Sequence, residues 1–268
     1  MPQIDFALFA TLRGNARIWA VGAIHSEIDR LTRLHRQIAE DFLPGDQIIY
    51  LGNYSGHGRA AIATIDELLL FRRAILALPG VDMEDVVFLR GAQEEMWQKL
   101  LQLQFAPDPA QVLRWMVEQG IGPTVEAYGA SLEDGASAGR DGTLALTRWT
   151  SQLRQSMRNL DGHTALMNAL RHAAITETQN LLFVHAGIDP DRPLEAQGDS
   201  FWWGGSSFAG MDAPYLPFLR VVRGYDRRHG GVTETPHTLT LDGGSGFGGE
   251  LTCACLAPDG TVLRLISA

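Results

Sequence analysis

The sequence predicts an α/β fold in which helices cover the strands. Short runs rich in Ile, Val and Leu alternate with longer segments whose apolar residues recur at helical spacing. Turns that contain Gly or Pro separate the two kinds of segment. A chain of 268 residues, 45% of them apolar, is also long enough to bury a large core without a disulfide or a structural metal. These features are typical of an α/β sandwich rather than of an all-helical or all-strand fold.

The alternation is clearest in the first half of the chain. We predict strands over residues 17–24, 47–51 and 85–90, because each is a short apolar run that ends at a turn. Helices are predicted over residues 27–42 and 60–78, where apolar residues return every three or four positions. Each predicted strand is therefore followed by a helical segment.

The pattern changes after residue 94 to a mostly helical one, which we interpret as a helical insertion over about 96–175. The Gly-, Asp- and Ser-rich stretch 133–142 is predicted to be a mobile loop within it. No long linker divides the chain, so we expect a single domain over 1–268. The remaining predicted strands cover residues 181–185, 221–223, 238–241, 250–256 and 261–266.

Charge and cysteine content exclude several classes of protein. The chain has 31 acidic and 22 basic residues, a net charge of −9, and no run of Lys or Arg, so nucleic acid and membranes are not expected partners. Cys253 and Cys255 lie two residues apart on a predicted strand and are expected to be reduced core thiols. The apolar stretch 6–10 is too short for a signal peptide. We therefore expect a cytoplasmic protein.

The common catalytic templates do not occur. The chain has no Walker loop, no His-Glu-x-x-His, no Cys-x-x-Cys and no Gly-x-Ser-x-Gly. A glycine-rich stretch over 243–249 precedes a predicted strand near the C-terminus rather than opening a helix after the first strand. A tight turn that leads into a hairpin is therefore favoured there over a dinucleotide site.

Polar and glycine-rich turns follow the predicted strands, where α/β proteins usually place their sites. Through these turns, in this order, the chain resembles the calcineurin-like metallophosphoesterases, in the branch of bacterial Ser/Thr phosphoprotein phosphatases and diadenosine tetraphosphatases. The resemblance runs from residue 18 nearly to the C-terminus. The turns that carry it are Gly22-Ala23-Ile24-His25-Ser26, Gly52-Asn53-Tyr54-Ser55-Gly56-His57-Gly58, Gly91-Ala92-Gln93-Glu94, His185-Ala186-Gly187 and Gly224-Tyr225-Asp226.

This resemblance implies a sandwich of two mixed β-sheets flanked by helices, with two divalent metals such as Mn, Fe or Zn on the strand-end loops. Metals about 3.5–4 Å apart would activate water and neutralise the phosphate. The site residues, however, differ from those of the family. Ala23 stands at the first carboxylate ligand, and Asn53 stands at the carboxylate that bridges the two metals. Gly56 and His57 replace the second Asp and the Arg that holds phosphate.

The remaining motifs are altered in the same way. Ala92 replaces the amide that serves as a metal ligand, and Gln93 replaces the catalytic imidazole. A glutamine cannot act as the acid in place of that imidazole. Tyr225 replaces the His of the last motif, and Asp226 follows it. The resemblance leaves His25 and His185 as the surviving family ligands, one for each metal. With so few charged ligands we expect no bound metal cofactor.

We therefore expect a catalytically inactive pseudophosphatase with a binding or regulatory role. Its partner would be a protein of unknown identity or a small phosphorylated ligand. One alternative is a phosphoesterase with a rearranged, single-metal site on His25, His185 and Asp226. Another is a metal-independent enzyme that uses Tyr225 or His57.

Overall fold

The computed structural model describes residues 8–205 and 207–268. Residues 6 and 7, where the apolar stretch considered for a signal peptide begins, lie outside the described residues. No helix in the described ranges is long and apolar enough to cross a membrane. The structure confirms the predicted sandwich, since two mixed β-sheets face each other and helices flank them.

The strands form two sheets, which we call sheet A and sheet B. They are β1 (Phe9–Leu12), β2 (Ile18–Val21), β3 (Gln47–Tyr50), β4 (Val86–Phe88), β5 (Ala173–Thr176), β6 (Leu181–Val184), β7 (Arg220–Arg223), β8 (Thr233–Glu234), β9 (Thr238–Thr240), β10 (Thr252–Leu256) and β11 (Val262–Ser267). Sheet A has the order β1-β5-β6-β7-β9-β8, and sheet B has the order β11-β10-β2-β3-β4. In sheet B the strands β2, β3 and β4 are parallel, and in sheet A β6, β7 and β9 are parallel.

Helices connect the strands of sheet B and fill the segment between β4 and β5. The helices are α1 (Ile28–Asp41), α2 (Ala61–Leu76), α3 (Ala92–Leu100), α4 (Pro109–Glu118), α5 (Gly122–Ala127), α6 (Leu132–Asp141), α7 (Thr143–Arg158), α8 (His163–Ala169) and α9 (Ser200–Trp203). Residues 173–175, inside the predicted bounds of the helical insertion, belong to β5.

Apolar side chains fill the space between the sheets and the space beneath the helices. Ile49, Phe183 and Val222 belong to the core shared by the two sheets. A second core places Leu34 of α1 and Ile65 of α2 against sheet B. Burial of this kind holds the strand ends at fixed positions, because well-packed interiors resist small displacements.

The prediction of a mobile loop over 133–142 is wrong, because this stretch lies in α6. The hydroxyl of Ser131 accepts a hydrogen bond from the backbone N–H of Asp134 at 3.2 Å and so caps the helix. A Cβ atom on Gly135 would lie 2.6 Å from the ring of Trp149 on α7. Small residues are typical of loops, but in this stretch they allow α6 to pack closely against α7.

Two further predictions concern the C-terminal part. Cys253 and Cys255 are buried and free, which confirms that they are reduced core thiols. The glycine-rich stretch 243–249 connects β9 of sheet A to β10 of sheet B, and β10 then pairs antiparallel with β11. The stretch therefore joins the two sheets in addition to leading into a hairpin.

Candidate functional site

The loops after β2, β3, β6 and β7 meet between the two sheets and are joined by backbone hydrogen bonds. The N–H of Ala23 donates to the carbonyl of Gly224 at 2.9 Å, which links sheet B to sheet A. The N–H groups of Gly224 and Tyr225 both donate to the carbonyl of His185 at 3.0 Å. These bonds bring Ala23, His185 and Tyr225, which lie in three separate turns of the sequence, into one region.

The imidazole of His185 is fully buried and held in one tautomer. Its Nδ1 lies 2.7 Å from the carbonyl oxygen of Leu51, which can only accept, so Nδ1 carries the proton. Its Nε2 has no hydrogen-bond partner among the described residues. Burial lowers the pKa of His185 from 6.5 to about 4. The ring is therefore neutral at neutral pH.

His25 is also buried, and Asn53 contacts it directly. The Nδ2 of Asn53 lies 3.3 Å from Nε2 of His25, and the Oδ1 of Asn53 accepts the backbone N–H of Gln93 at 2.9 Å. An amide nitrogen can only donate, so the lone pair of His25 Nε2 is engaged by Asn53. Burial lowers the pKa of His25 well below 6.5, and the nearby rings of His57, His185 and His229 lower it further.

Glu94 holds the loop that carries Asn53. Its Oε2 accepts the backbone N–H groups of Asn53 and Gly91 at 2.8 and 2.9 Å, and its Oε1 accepts the N–H of Tyr54 at 2.8 Å. Burial raises the pKa of this carboxyl group, and the backbone donors oppose that shift. The position of Asn53 therefore depends on a buried carboxylate at the start of α3.

Gln93 occupies the space beside Gly56. A Cβ atom on Gly56 would lie 2.3 Å from Cδ of Gln93, and Gly56 has a φ of +87°. The Nε2 of Gln93 donates to the carbonyl of Gln119 at 2.7 Å, which ties this side chain to the segment between α4 and α5. The glutamine and the glycine thus fit each other, and an Asp at position 56 would not fit beside Gln93.

Tyr225 lies over the two surviving histidines. Its ring stacks on His185 with centroids 5.2 Å apart and an angle of 10°, and it lies 5.8 Å from the ring of His25. Burial is the main cause that raises the pKa of Tyr225 to about 12. The phenol is therefore protonated at neutral pH and contributes a ring rather than a charge.

Asp226 is not part of this cluster of rings. Its Oδ2 lies 3.0 Å from the guanidinium of Arg223, which is itself buried and stacked on the ring of Phe208 at 4.4 Å. The carboxylate of Asp226 is therefore engaged by a cation. The structure brings His25 and His185 together under Tyr225, and it pairs Asp226 with Arg223.

Sequence reasoning missed His229 and Phe247, which complete the cluster. The ring of Phe247 stacks on His229 at 3.8 Å and lies 4.5 Å from His57 and 5.2 Å from His25. Nδ1 of His229 lies 3.0 Å from a carboxylate oxygen of Asp242. The glycines on either side of Phe247 were the available signal, because they let the loop over 243–249 approach His25.

The residues at the site do not fit a pair of divalent metals. The positions that the sequence resemblance assigns to carboxylate ligands hold Ala23, Asn53 and Gly56, so none of the three supplies a carboxylate. Within residues 8–205 and 207–268, no three side chains of His, Cys, Asp or Glu are placed to hold a metal ion. Two metals would need shared, charged oxygen ligands, which this donor set does not provide.

Comparison with solved structures identifies the architecture. A candidate diadenosine tetraphosphatase has a TM-score of 0.58 and 20% identity, with 97% of each chain covered. The chain has a calcineurin-like metallophosphoesterase fold. A Ser/Thr phosphatase from Saccharomyces cerevisiae has a TM-score of 0.49 and 14% identity over 97% of this chain and 82% of that one. A metallophosphoesterase from Sphaerobacter thermophilus has a TM-score of 0.46 and 13% identity over 95% and 88%.

The metallophosphoesterase fold is thus recognised from structure rather than from overall sequence. No protein-family profile matches the chain, and no curated protein matches it. The match to the candidate tetraphosphatase extends over nearly the whole of both chains, so the helices between β4 and β5 belong to the matched architecture. At 20% identity this match shows the fold alone.

The buried imidazole of His185 predicts a specific dependence of stability on pH. The unfolded chain binds a proton near pH 6.5, whereas the folded chain binds it only near 4, so the free energy of unfolding falls as the pH drops through this window. His185→Asn keeps a donor for Leu51 and removes the titration. When the pH is lowered from about 7 to about 5, the free energy of unfolding of wild-type protein should fall by about 2 kcal/mol more than that of this variant.

Urea unfolding in the presence of EDTA measures this difference. The matched control is His237→Asn, which removes a half-buried histidine at the turn before β9. If this control changes the pH dependence as much as His185→Asn does, the effect does not arise from the burial of His185. Equal pH dependence in wild-type protein and His185→Asn would contradict the assignment of a neutral, buried imidazole.

Proposed function

We propose that this protein is a binding or regulatory protein built on a phosphatase fold, and that it does not hydrolyse phosphoesters with metals. The observation that carries the proposal is the contact of Asn53 Nδ2 with His25 Nε2 at 3.3 Å. An amide donor here uses the lone pair that a metal would need, and a neutral amide supplies no charge to bridge two cations.

The groups that would lower the barrier to hydrolysis are missing together. Metal-bound hydroxide needs a metal, and Gln93 has no titratable proton to give to a leaving alkoxide. His57 stands where the family places a phosphate-binding Arg, and burial is the main cause that lowers its pKa. A neutral imidazole is a poor substitute for a guanidinium that binds phosphate in a bidentate manner.

The alternative of a single metal on His25, His185 and Asp226 is less well supported. Asp226 is paired with Arg223 at 3.0 Å, and metal binding there would have to break this partly buried ion pair. The metal-independent alternative is also disfavoured, because a Tyr225 with a pKa of about 12 is a weak nucleophile at neutral pH.

The proposal leaves two kinds of partner, a protein or a small phosphorylated ligand. Burial lowers the pKa values of His25, His57 and His185, so these imidazoles and the aromatic rings around them provide little charge to bind a phosphate dianion. A protein partner is therefore the better supported of the two. We also propose that the protein acts in the cytoplasm and binds neither nucleic acid nor membranes, in line with its net charge of −9.

Metal content and hydrolysis test this proposal directly. Protein purified without chelator should carry well under one equivalent of Mn, Fe or Zn by elemental analysis. With millimolar Mn²⁺ it should not hydrolyse p-nitrophenyl phosphate, a phosphopeptide or diadenosine tetraphosphate above the rate of buffer. Two tightly held ions, or turnover that EDTA abolishes, would overturn the proposal. Turnover that survives EDTA and is lost in Tyr225→Phe or His57→Ala would favour the metal-independent enzyme.

A further inference from the structure

A second concave surface lies on the segment between β6 and β7. It is a groove of about 1060 Å³, lined by residues 190–195, 207 and 210–218 and by Gln179. Gln179, which lines the groove, precedes β6, whereas His185 of the imidazole cluster follows it. These two residues therefore lie at opposite ends of the strand. The groove therefore does not depend on the state of the former metal site.

Buried polar contacts hold the base of this groove in place. The side chain of Gln197 accepts the N–H of Asp189 at 2.7 Å and donates to the carbonyls of Asp189 and Arg192 at 2.8 and 2.9 Å. The hydroxyl of Tyr215 donates to the same Arg192 carbonyl at 2.7 Å. Both sides of the groove are thus connected through one buried amide, which favours a preformed binding surface.

A large apolar side chain of the lining is exposed to solvent. Leu216 lines the groove and is 78% exposed. In contrast, the rings of Tyr215 and Phe218 are buried and stacked with centroids 6.2 Å apart. Large apolar side chains exposed beside a concave apolar surface are a recurring feature of protein-binding sites.

The charges along the groove are acidic. Asp191, Glu195 and Asp212 line it, and none of the three carboxylates has an ion-pair partner among the described residues. The single arginine of the lining, Arg192, is paired with Asp189 at 3.1 Å. The groove therefore presents unpaired negative charge around an apolar floor.

We propose that this groove binds a short segment of a partner protein in which apolar side chains are flanked by Lys or Arg. The apolar side chains would cover Leu216 and the floor of the groove. The basic side chains would pair with Glu195 and Asp212, which have no cation of their own in the described part of the chain. This charge complementarity selects a basic segment over an acidic one. The inference goes beyond the proposed function, because it does not require an inactive site.

Three fluorescent peptides of equal length test the proposal by anisotropy with the full chain. The first combines Leu with Lys, the second replaces each Lys by Glu, and the third replaces each Leu by Ser. The first should bind about tenfold tighter than either of the others, because only it satisfies both features. Equal binding of all three peptides would overturn the proposal.

Variants locate the binding surface. Leu216→Ser and the double variant Glu195→Lys with Asp212→Lys should each weaken binding of the Leu-Lys peptide by about tenfold. The double variant should in turn prefer the Leu-Glu peptide. The matched controls are Leu70→Ser, at a leucine of α2 that is 58% exposed, and Glu40→Lys, at an exposed acid of α1. Both controls should bind as wild-type protein does.

Two results would contradict the assignment to this groove. If Leu70→Ser weakens binding as much as Leu216→Ser does, the peptide binds exposed apolar side chains in general rather than this groove. If wild-type protein sediments as a dimer that Leu216→Ser dissociates, the occupant is a second copy of the chain rather than a basic partner. Metal uptake is measured separately, so active metal-dependent protein would overturn the proposed function and leave the groove untouched.

Discussion

Replacing Glu94 by Ala should lower the free energy of unfolding by about 3–5 kcal/mol. This carboxylate is buried and accepts three backbone N–H groups, from Asn53, Tyr54 and Gly91, at 2.8–2.9 Å. Alanine would leave those donors buried without acceptors. Each unsatisfied donor costs about 1–3 kcal/mol, and water that enters the cavity would recover part of this loss.

Urea unfolding followed by circular dichroism measures the effect. The matched control is Glu95→Ala, because Glu95 is the next residue of α3 and pairs with Arg90 and Lys99 closer to the surface. The control should change stability by less than about 1 kcal/mol. If the two variants are equally stable, Glu94 does not hold the loop that carries Asn53. Glu94→Gln, which keeps one acceptor oxygen, should fall between them.

The order of strands and helices in the first half could be predicted from the sequence because its signals are local, whereas the two mixed sheets were expected from the resemblance of the turns to a known family. Each strand of the first half ends at a turn and is followed by an amphipathic segment, so the order of elements follows from periodicity. The helix α6 could not be predicted in this way. Its Gly135 has low helix propensity, and only the ring of Trp149 against it explains why a glycine is needed.

The candidate site was predictable only in part, because its contacts join distant segments. The turns identify His25, Asn53 and His185 by position, but not the bond that Asn53 makes to His25. Likewise, the fit of Gly56 to Gln93 depends on two residues that are 37 positions apart in the sequence. Spacing along the chain gives no sign of such pairs.

Asp226 shows how little the position of a residue in the sequence says about its partner. A carboxylate beside the last motif is a reasonable metal ligand when only its position is known. In the structure its partner is Arg223, three residues earlier, at the end of β7. A carboxylate can bind a metal, but in the structure the carboxylate of Asp226 pairs with the guanidinium of Arg223.

Restoring the family ligands should create a metal site that, on our proposal, wild-type protein lacks. The combined changes are Ala23→Asp, Asn53→Asp, Ala92→Asn and Tyr225→His. Asn53→Asp removes the amide donor that contacts Nε2 of His25 and supplies a carboxylate that can be shared by two ions. Position 56 stays glycine, because a side chain there would collide with Gln93.

Calorimetric titration with Mn²⁺ should show binding to this quadruple variant about a hundredfold tighter than to wild-type protein. Without metal the variant should be less stable than wild-type protein, because its new carboxylates repel each other in a buried site. At a Mn²⁺ concentration of about 100 times Kd, binding should raise the free energy of unfolding of the variant by about 2.7 kcal/mol, which raises its Tm by roughly 5–10 °C. EDTA should reverse this shift and leave the Tm of wild-type protein unchanged.

The control for this restoration is the triple variant that retains Asn53. It carries the same changes at positions 23, 92 and 225 but lacks the shared carboxylate, so it should bind Mn²⁺ much more weakly than the quadruple variant. Hydrolysis of a phosphoserine peptide, whose alkoxide leaving group needs a proton, should not appear in the quadruple variant, because the side chain of Gln93 has no acidic proton. It should appear weakly once Gln93→His is added. A folded quadruple variant that takes up no Mn²⁺ at millimolar concentration would show that the strand-end loops do not bring the restored ligands close enough together to bind a metal.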